Sequence, residues 1–292
     1  MPLTLFARPR KAADTPPPRG ASAGGVFAHL DKPENLPHLS DTTVRAMALA
    51  NDPDATLADM AALIRRDGVL AAGLLKLANS VVYRGSSEVT DVQQAVMRVG
   101  LRGCGNMLAA AGVKKLYAGM PPAVQGACEK VLRHSLFVGG LAARVARSLR
   151  LPLGGEEYTA GLLHDIGRVV MCVHAPDRYP ALCTSGSDTD PDVRAGEREL
   201  FGTDHCGLGR LFAVKNALPD RIGRAIQHHH HPEAEGEFRP LAAVVGFADA
   251  VANHLHRRQV VSERVEAFRQ ELKALVVQCV RETRGLVKSL AG

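Results

Sequence analysis

The sequence is poor in aromatic residues: it has no tryptophan, four tyrosines and eight phenylalanines among 292 residues. Proteins that bind nucleic acid by stacking its bases need aromatic side chains, so this scarcity argues against a nucleic-acid groove. The net charge of +6 does not reverse the argument, because residues 1–20 carry +3, residues 255–292 carry +4 and the residues between them carry −1. Salt-sensitive binding of nucleic acid or an acidic membrane by the two basic ends is the alternative that charge alone leaves open.

The sequence also lacks long apolar runs and closely spaced cysteines. No stretch of about 18 apolar residues occurs, and the N-terminus has no charged region followed by an apolar one, so neither a membrane span nor a secretory signal is predicted. No two cysteines form a Cys-x-x-Cys pair, and the chain is too long to need disulfide bonds for stability. We therefore expect a cytoplasmic protein with buried thiols. The cysteines are Cys104, Cys128, Cys172, Cys183, Cys206 and Cys279.

No segment alternates apolar and polar residues over a useful length, so no β-strand is predicted and we expect an all-α fold. Apolar residues at helical spacing and capping residues, Thr56 and either Thr90 or Asp91, divide the chain into helical segments. The predicted helical ranges are 36–49, 56–80 with a break near Gly68, 91–100, 103–117, 123–149, 156–164, 193–201, 205–217, 219–230, 240–256 and 263–290.

The two ends of the chain have distinct compositions. Residues 1–30 are rich in proline and glycine, so they are predicted to form a flexible leader. Residues 257–292 are predicted to form a charged helix, whose alternating charges indicate a solvated face. Partner binding by this helix is the second interpretation.

Some histidines and aspartates occupy positions where a helix should bury apolar side chains. His134 lies on one helical stripe with Val138 and Leu141, and Asp249 shares a stripe with Val245. Taken alone, His134 is best explained as a buried histidine with a hydrogen-bond partner. A buried carboxylate at position 249 must be paired with a cation or protonated, because an unpaired buried charge is costly.

Other polar residues lie near predicted helix ends. His164 and Asp165 are adjacent, and they are followed by Gly167, a residue able to end their helix. Neighbours on a helix point about 100° apart, so these two side chains can converge on one ion only beside the helix end; the simpler alternative is that Asp165 orients the last turn. His205 opens another predicted helix. The alternative to a metal ligand is that it belongs to the N-terminal cap region and has no special role. Residues 228–231 are four consecutive histidines inside the chain. They are predicted either to bind a ligand or to form an exposed polar turn.

The order of these residues along the chain resembles the HD superfamily of metal-dependent phosphohydrolases. The matching positions are His134, His164, Asp165, His205, His229, His230 and Asp249. The resemblance implies a mononuclear or binuclear centre for Fe, Mn or Mg, in which Asp165 can bridge two ions that activate a water against a phosphate ester. In that mechanism Arg168 would steady the phosphate.

The chain is more similar still to the HDOD family, a branch associated mainly with bacterial signal transduction. The similar segments are 36–39 (Leu-Pro-His-Leu), 51–54 (Asn-Asp-Pro-Asp), 57–67, 74–80 (Leu-Leu-Lys-Leu-Ala-Asn-Ser), 91–100, 133–136 (Arg-His-Ser-Leu), 160–167, 202–209 and 218–232. The resemblance implies one HDOD domain over residues 31–256, with an N-terminal helical lobe of about 36–117 and an HD-like lobe of about 121–256.

Two departures from related families bear on activity. HDOD proteins have often lost several metal ligands, whereas every position aligned here keeps a histidine or aspartate. The cyclic-dinucleotide phosphodiesterases called HD-GYP carry Gly-Tyr-Pro after their paired histidines, and this chain has residues 232–238 (Pro-Glu-Ala-Glu-Gly-Glu-Phe) instead. Arg168 also stands where those enzymes have lysine.

The expected function is therefore regulation, through a signalling protein partner or a nucleotide or cyclic-dinucleotide ligand, with the metal ions either present or lost. The alternative is a metal-dependent phosphohydrolase or cyclic-nucleotide phosphodiesterase, in which Asp165 and Arg168 would be the catalytic residues. The sequence leaves the oligomeric state open between a monomer and a homo-oligomer.

Overall fold

The computed structural model describes residues 36–83, 85, 87–179, 191–233 and 239–257. Within these ranges every regular element is helical, which confirms the all-α prediction. The helices are α1 Asp41–Asn51, α2 Leu57–Ile64, α3 Gly68–Ala78, α4 Val92–Ala118, α5 Pro122–Ser148, α6 Glu156–Leu163, α7 Ile166–His174, α8 Pro191–Phe201, α9 His205–Lys215, α10 Asp220–His228 and α11 Arg239–Arg257. No helix in these ranges is long and apolar enough to cross a membrane.

Three sequence predictions concern residues outside the described ranges. They are the flexible leader over residues 1–30, nearly all of the charged helix over residues 257–292, and the burial of Cys183 and Cys279. The other four cysteines are buried free thiols, as expected.

Side-chain caps set where the first helices begin. Thr56 and Asp59 form the reciprocal capping box: the Thr56 hydroxyl accepts from the Asp59 amide at 3.2 Å, and the Asp59 carboxylate accepts from the Thr56 amide at 2.9 Å. Asp91 caps α4. The predicted break at Gly100 is a left-handed residue inside α4 (φ 78°), so the helices predicted on either side of it are two halves of one kinked element.

The helices pack around two hydrophobic cores. The N-terminal core lies between α1, α2, α3 and the part of α4 that ends at Leu108, and includes Met60, Leu74 and Val96. The C-terminal core takes in α5 to α11 together with Val113 and Tyr117 from the second half of α4. Each fully buried large apolar side chain contributes roughly 1.5–3 kcal/mol. Because α4 runs through both cores, it joins the two lobes.

Two glycines let α5 and α6 cross with their backbones in contact. A Cβ on Gly161 of α6 would lie 2.7 Å from the Cα of Gly139 on α5, and a Cβ on Gly139 would lie 2.8 Å from the carbonyl oxygen of Tyr158. These neighbours are backbone atoms, which cannot move aside as a flexible side chain can. Since α5 carries His134 and α6 ends directly before His164, the crossing sets the spacing of two predicted ligands.

We expect Gly161→Ala to destabilise the fold by about 1–3 kcal/mol, because a methyl group has no room between the two backbones. Gly126→Ala on α5 is the matched control: a Cβ there meets no described atom within 4 Å, and alanine favours a helix over glycine by roughly 0.5–1 kcal/mol. Urea denaturation followed by circular dichroism suits a chain without tryptophan. Equal stability of the Gly161→Ala and unaltered proteins would contradict the close crossing.

The helix predicted over residues 156–164 ends close to its predicted end, but Gly167 does not end it, and the helix that follows was not predicted. α6 ends at Leu163 and α7 begins at Ile166, so Gly167 lies inside a helix. Position 167 requires glycine because of packing and not because a helix ends there: a Cβ at this position would overlap the carbonyl oxygen of His205 at the start of α9. The glycine permits close contact between α7 and α9.

Candidate metal centre

The structure brings the seven predicted ligands together in the C-terminal lobe. His134 lies in α5, His164 and Asp165 at the junction of α6 and α7, His205 at the start of α9, His229 and His230 after α10, and Asp249 in α11. Five of them are almost fully enclosed, with exposed fractions of 2% or less: His164, Asp165, His205, His229 and Asp249. The other two reach solvent in part, since the His134 side chain is 18% exposed and His230 is half-buried.

Two carboxylates lie in the middle of the cluster. Oδ1 of Asp249 lies 2.9 Å from Nε2 of His134 and 3.5 Å from Nε2 of His164. Oδ2 of Asp165 lies 3.4 Å from Nε2 of His164, while its Oδ1 lies 3.5 Å from Nε2 of His205. Asp165 therefore faces imidazoles with both of its oxygens, as a bridging carboxylate must.

Hydrogen bonds to the main chain orient two of the imidazoles. Nδ1 of His164 donates to the carbonyl oxygen of Gly161 at 2.8 Å, and Nδ1 of His229 donates to that of Ile226 at 2.7 Å. A carbonyl oxygen can only accept, so each neutral ring carries its proton on Nδ1 and presents the lone pair of Nε2. Both Nε2 atoms are buried without a hydrogen-bond partner among the described residues. Buried polar atoms normally have partners, so these two nitrogens fit a bound metal ion.

His205, His229 and His230 form the second side of the cluster. Nε2 of His205 and Nε2 of His230 lie 3.1 Å apart, and the rings of His229 and His230 are 4.0 Å apart between centroids. Burial and then the neighbouring His229 and His205 lower the pKa of His230, which keeps it neutral and able to bind a metal. Donor atoms of these three residues and of Cys206 lie within 4.8 Å of one another. The sequence predicts Cys206 only as a buried thiol, and its position directly after His205 was the available signal.

Close packing of glycines brings the ligand-bearing segments together. A Cβ at Gly246 of α11 would overlap the carbonyl oxygen of His229, just as one at Gly167 would overlap that of His205. Any larger residue at position 246 would force α11 away from the end of α10. Asp249, one turn further along α11, depends on this contact for its distance from His229.

Glu197 belongs to the site but was not predicted from the sequence. Its fully buried carboxylate accepts from Nδ1 of His205 at 2.7 Å, from the His205 amide at 2.9 Å and from the hydroxyl of Tyr179 at 2.6 Å. It thereby turns Nε2 of His205 towards the cluster, as a carboxylate behind a metal-binding histidine does. The signal that could have revealed it is spacing, since Glu197 lies four residues from both buried Val193 and buried Phe201.

We expect Glu197→Gln to weaken metal binding about 10- to 100-fold, because the amide removes the negative charge behind His205 and cannot accept at every position. Glu199→Gln is the matched control, since Glu199 is exposed on the same helix. Competition with a coloured chelator measures the affinity without requiring any enzymatic activity. Equal affinities of the two variants would show that Glu197 does not orient a metal ligand.

The carboxylates and imidazoles shift each other's pKa. Burial raises the pKa of Asp165, but Arg168 and His164 outweigh it and hold this pKa well below its usual range. Burial likewise raises the pKa of Asp249, and the neighbouring imidazoles of His134 and His164 bring it well below its usual range. Burial lowers the pKa of His164, but Asp165 and Asp249 raise it to about 10. Without a metal the centre thus favours imidazolium–carboxylate pairs, which a metal would replace by neutral imidazoles.

Arg168 lies within the cluster. Its guanidinium is 3% exposed, Nε donates to Oδ1 of Asp165 at 3.0 Å, and Nη1 lies 3.9 Å from Oε1 of Glu197. These contacts make Arg168 the buried cation that balances two carboxylates. Its phosphate-binding role stays a prediction.

An all-α fold that encloses imidazoles and carboxylates from separate helices defines a protein of the HD-like class. The protein-family model of the HDOD domain matches residues 36–232, about two-thirds of the chain. The chain therefore belongs to the HDOD family.

Individual relatives agree with this placement. An uncharacterized protein of Treponema pallidum (strain Nichols) is 27% identical over 226 residues, which make up 77% of this chain and 44% of that protein, so the chain spans less than half of this relative. A solved HDOD domain protein of unknown function from Geobacter sulfurreducens is 26% identical with a TM-score of 0.65, covering 88% of this chain and 91% of that one. A protein of Shewanella amazonensis SB2B, provisionally named a phosphohydrolase, shares the fold with a TM-score of 0.68 at 23% identity, covering 90% of this chain and 98% of its own.

Proposed function

We propose that this chain is a regulatory signal-transduction protein of the HDOD type, which holds a divalent metal in its His/Asp centre and acts in the cytoplasm by binding a signalling protein or a nucleotide-type ligand. Membership of the HDOD family supports the regulatory role, because the family is associated mainly with signalling. The convergence of seven candidate ligands supports the metal, and their mixture of imidazole and carboxylate suits Fe, Mn or Mg.

The observation that carries the proposal is the enclosure of the centre. Asp165 and Asp249 are 2% and 1% exposed, and the guanidinium of Arg168 is directed at Asp165 and Glu197. Turnover of a phosphate ester needs an open position beside the metal and a cation that faces the phosphate. A centre whose carboxylates are buried in this way is better suited to a structural or sensing ion.

Metal content and turnover together test the proposal. Untagged protein purified without a nickel column should contain about one or two ions per chain by elemental analysis, and it should release no phosphate from nucleotides and open no cyclic dinucleotide. The double variant His164→Ala, Asp165→Ala should lose the metal. The control His231→Ala should keep it, because that side chain is 61% exposed in the same run of histidines.

Two results would contradict the proposal. Steady hydrolysis that disappears in the double variant would replace the regulatory role by an enzymatic one. Protein that contains no metal, when it is produced with Fe, Mn and Mg available, would remove the metal from the proposal.

One observation favours a second candidate, a metal-dependent phosphohydrolase or cyclic-nucleotide phosphodiesterase. His134 and His230 are only partly buried, so the cluster is not sealed at these two positions. A bound metal pair would supply a nucleophilic water at neutral pH. In this candidate Asp165 holds its two oxygens towards both groups of imidazoles, and Arg168 keeps that carboxylate ionised. The turnover measurement described above separates the two candidates.

A further inference from the structure

A cleft between the two lobes lies on the face of α5 that points away from His134. Its volume is about 120 Å³, and it is bounded by the α3–α4 connection, α4, α5 and α6. The α5 contribution runs from Leu136 through Gly140 to Arg144 and Arg147, a single stripe at helical spacing. With about 100° of rotation per residue, this stripe is roughly opposite His134 on the helix.

The inner part of the cleft is apolar and aromatic. Leu77, Met107, Leu136 and Tyr158 line it and are buried, with exposed fractions between 2% and 5%. Tyr83 lies against Gly103, where a Cβ would come within 3.2 Å of the tyrosine hydroxyl. Flat apolar groups pack favourably against tyrosine rings. A cavity of roughly 150 Å³ holds a benzene ring. The cleft is slightly smaller, so it admits at most one six-membered ring, and the rest of a nucleotide would lie at its opening beside exposed Arg147.

The charged side chains among the described residues of the cleft are both arginines. Arg144 is half-buried and Arg147 is exposed, and they lie three residues apart on α5, so both face the same opening. No carboxylate is present among the described residues that line the cleft. Guanidinium groups bind phosphate and carboxylate through paired hydrogen bonds. Asn106 adds an amide that can both donate to and accept from the edge of a heteroaromatic ring.

We propose that this cleft binds a small aromatic anion, a nucleoside monophosphate or an aryl phosphate. The ring occupies the apolar part beside Tyr83 and Tyr158, and the phosphate lies on Arg144 and Arg147. An apolar pocket with a few converging polar groups is the usual form of a small-molecule site. The site is separate from the metal centre, so its existence does not depend on metal binding or on turnover there.

Calorimetric titration of the full-length chain with GMP and phenyl phosphate tests the proposal. Guanosine lacks the anion and inorganic phosphate lacks the ring, so both should bind at least about tenfold more weakly than GMP. The titration is repeated with the His164→Ala, Asp165→Ala variant, once its circular dichroism spectrum shows that it is folded; GMP should still bind. Loss of GMP binding in that variant would place the nucleotide at the metal centre and overturn the cleft proposal.

Arg147→Met should weaken GMP about tenfold or more, and Tyr83→Ala should weaken GMP and phenyl phosphate but not inorganic phosphate. Arg133→Met is the matched control, since this exposed arginine lies on α5 outside the cleft and pairs with Glu129. Arg147 is exposed, so its substitution should leave the circular dichroism spectrum unchanged. Absence of binding by both probes at millimolar concentration, or equal GMP affinity of the Arg147→Met and Arg133→Met proteins, would overturn the proposal.

Discussion

Asp165→Asn should abolish stoichiometric metal binding, with an affinity reduced by about 100-fold or more. The carboxylate presents Oδ2 to His164 and Oδ1 to His205, so both oxygens are in use. An asparagine offers one acceptor and one donor group and no charge, and neither orientation of its amide serves both histidines. Elemental analysis after dialysis against the metal measures the loss.

The same substitution should destabilise the metal-free protein by about 3–5 kcal/mol, because buried Arg168 loses the carboxylate to which its Nε donates. Asp177→Asn is the control: Asp177 is exposed just beyond α7, so its substitution should change stability by no more than about 0.5 kcal/mol and leave the metal in place. An Asp165→Asn protein that retained a full complement of metal would show that this carboxylate is not a ligand.

The metal-free protein should lose stability as the pH rises from about 6.5 towards 10. In the unfolded chain the His164 imidazole has a pKa of 6.5, and in the folded chain burial lowers it while Asp165 and Asp249 raise it to about 10. Between these values His164 is protonated in the folded state and neutral in the unfolded state. This group therefore makes the free energy of unfolding fall by about 1.4 kcal/mol per pH unit.

The carboxylates give the opposite dependence at low pH. Asp165 and Asp249 have lowered pKa values in the folded chain, so their contribution is complete above about pH 4 and is lost as the pH falls below it. Urea denaturation of chelator-treated protein at a series of pH values measures the loss of stability at both alkaline and acid pH. His164→Ala should make the fall in stability at alkaline pH shallower, and His231→Ala should leave it unchanged. Absence of this fall in the unaltered protein would contradict the raised pKa of His164.

Local chemistry made much of the fold predictable. The hydroxyl of Thr56 and the carboxylate of Asp91 mark helix starts because they satisfy exposed backbone amides, a requirement that operates within one turn. Asp249 stood out because it interrupts an apolar stripe. The meeting of His134 with Asp249, 115 residues apart, has no local cause, and only the family resemblance led to it.

The features that the sequence did not predict depend on packing between elements that are distant along the chain. Glycine can end a helix or admit a neighbouring backbone, and Gly167 does the second because the start of α9 lies against it. The sequence does not show that neighbour. Glu197 interrupts an apolar stripe much as Asp249 does, but α8 is short, so a single buried carboxylate was hard to distinguish from the exposed acids around it.

α5 is one continuous helix of 27 residues that presents His134 on one side and Arg144 with Arg147 on the other. A molecule on the arginine side that tilts or turns this rod also moves an imidazole of the ion's coordination sphere. Thermodynamic reciprocity then requires the ion to change that molecule's affinity by the same factor as the molecule changes the ion's.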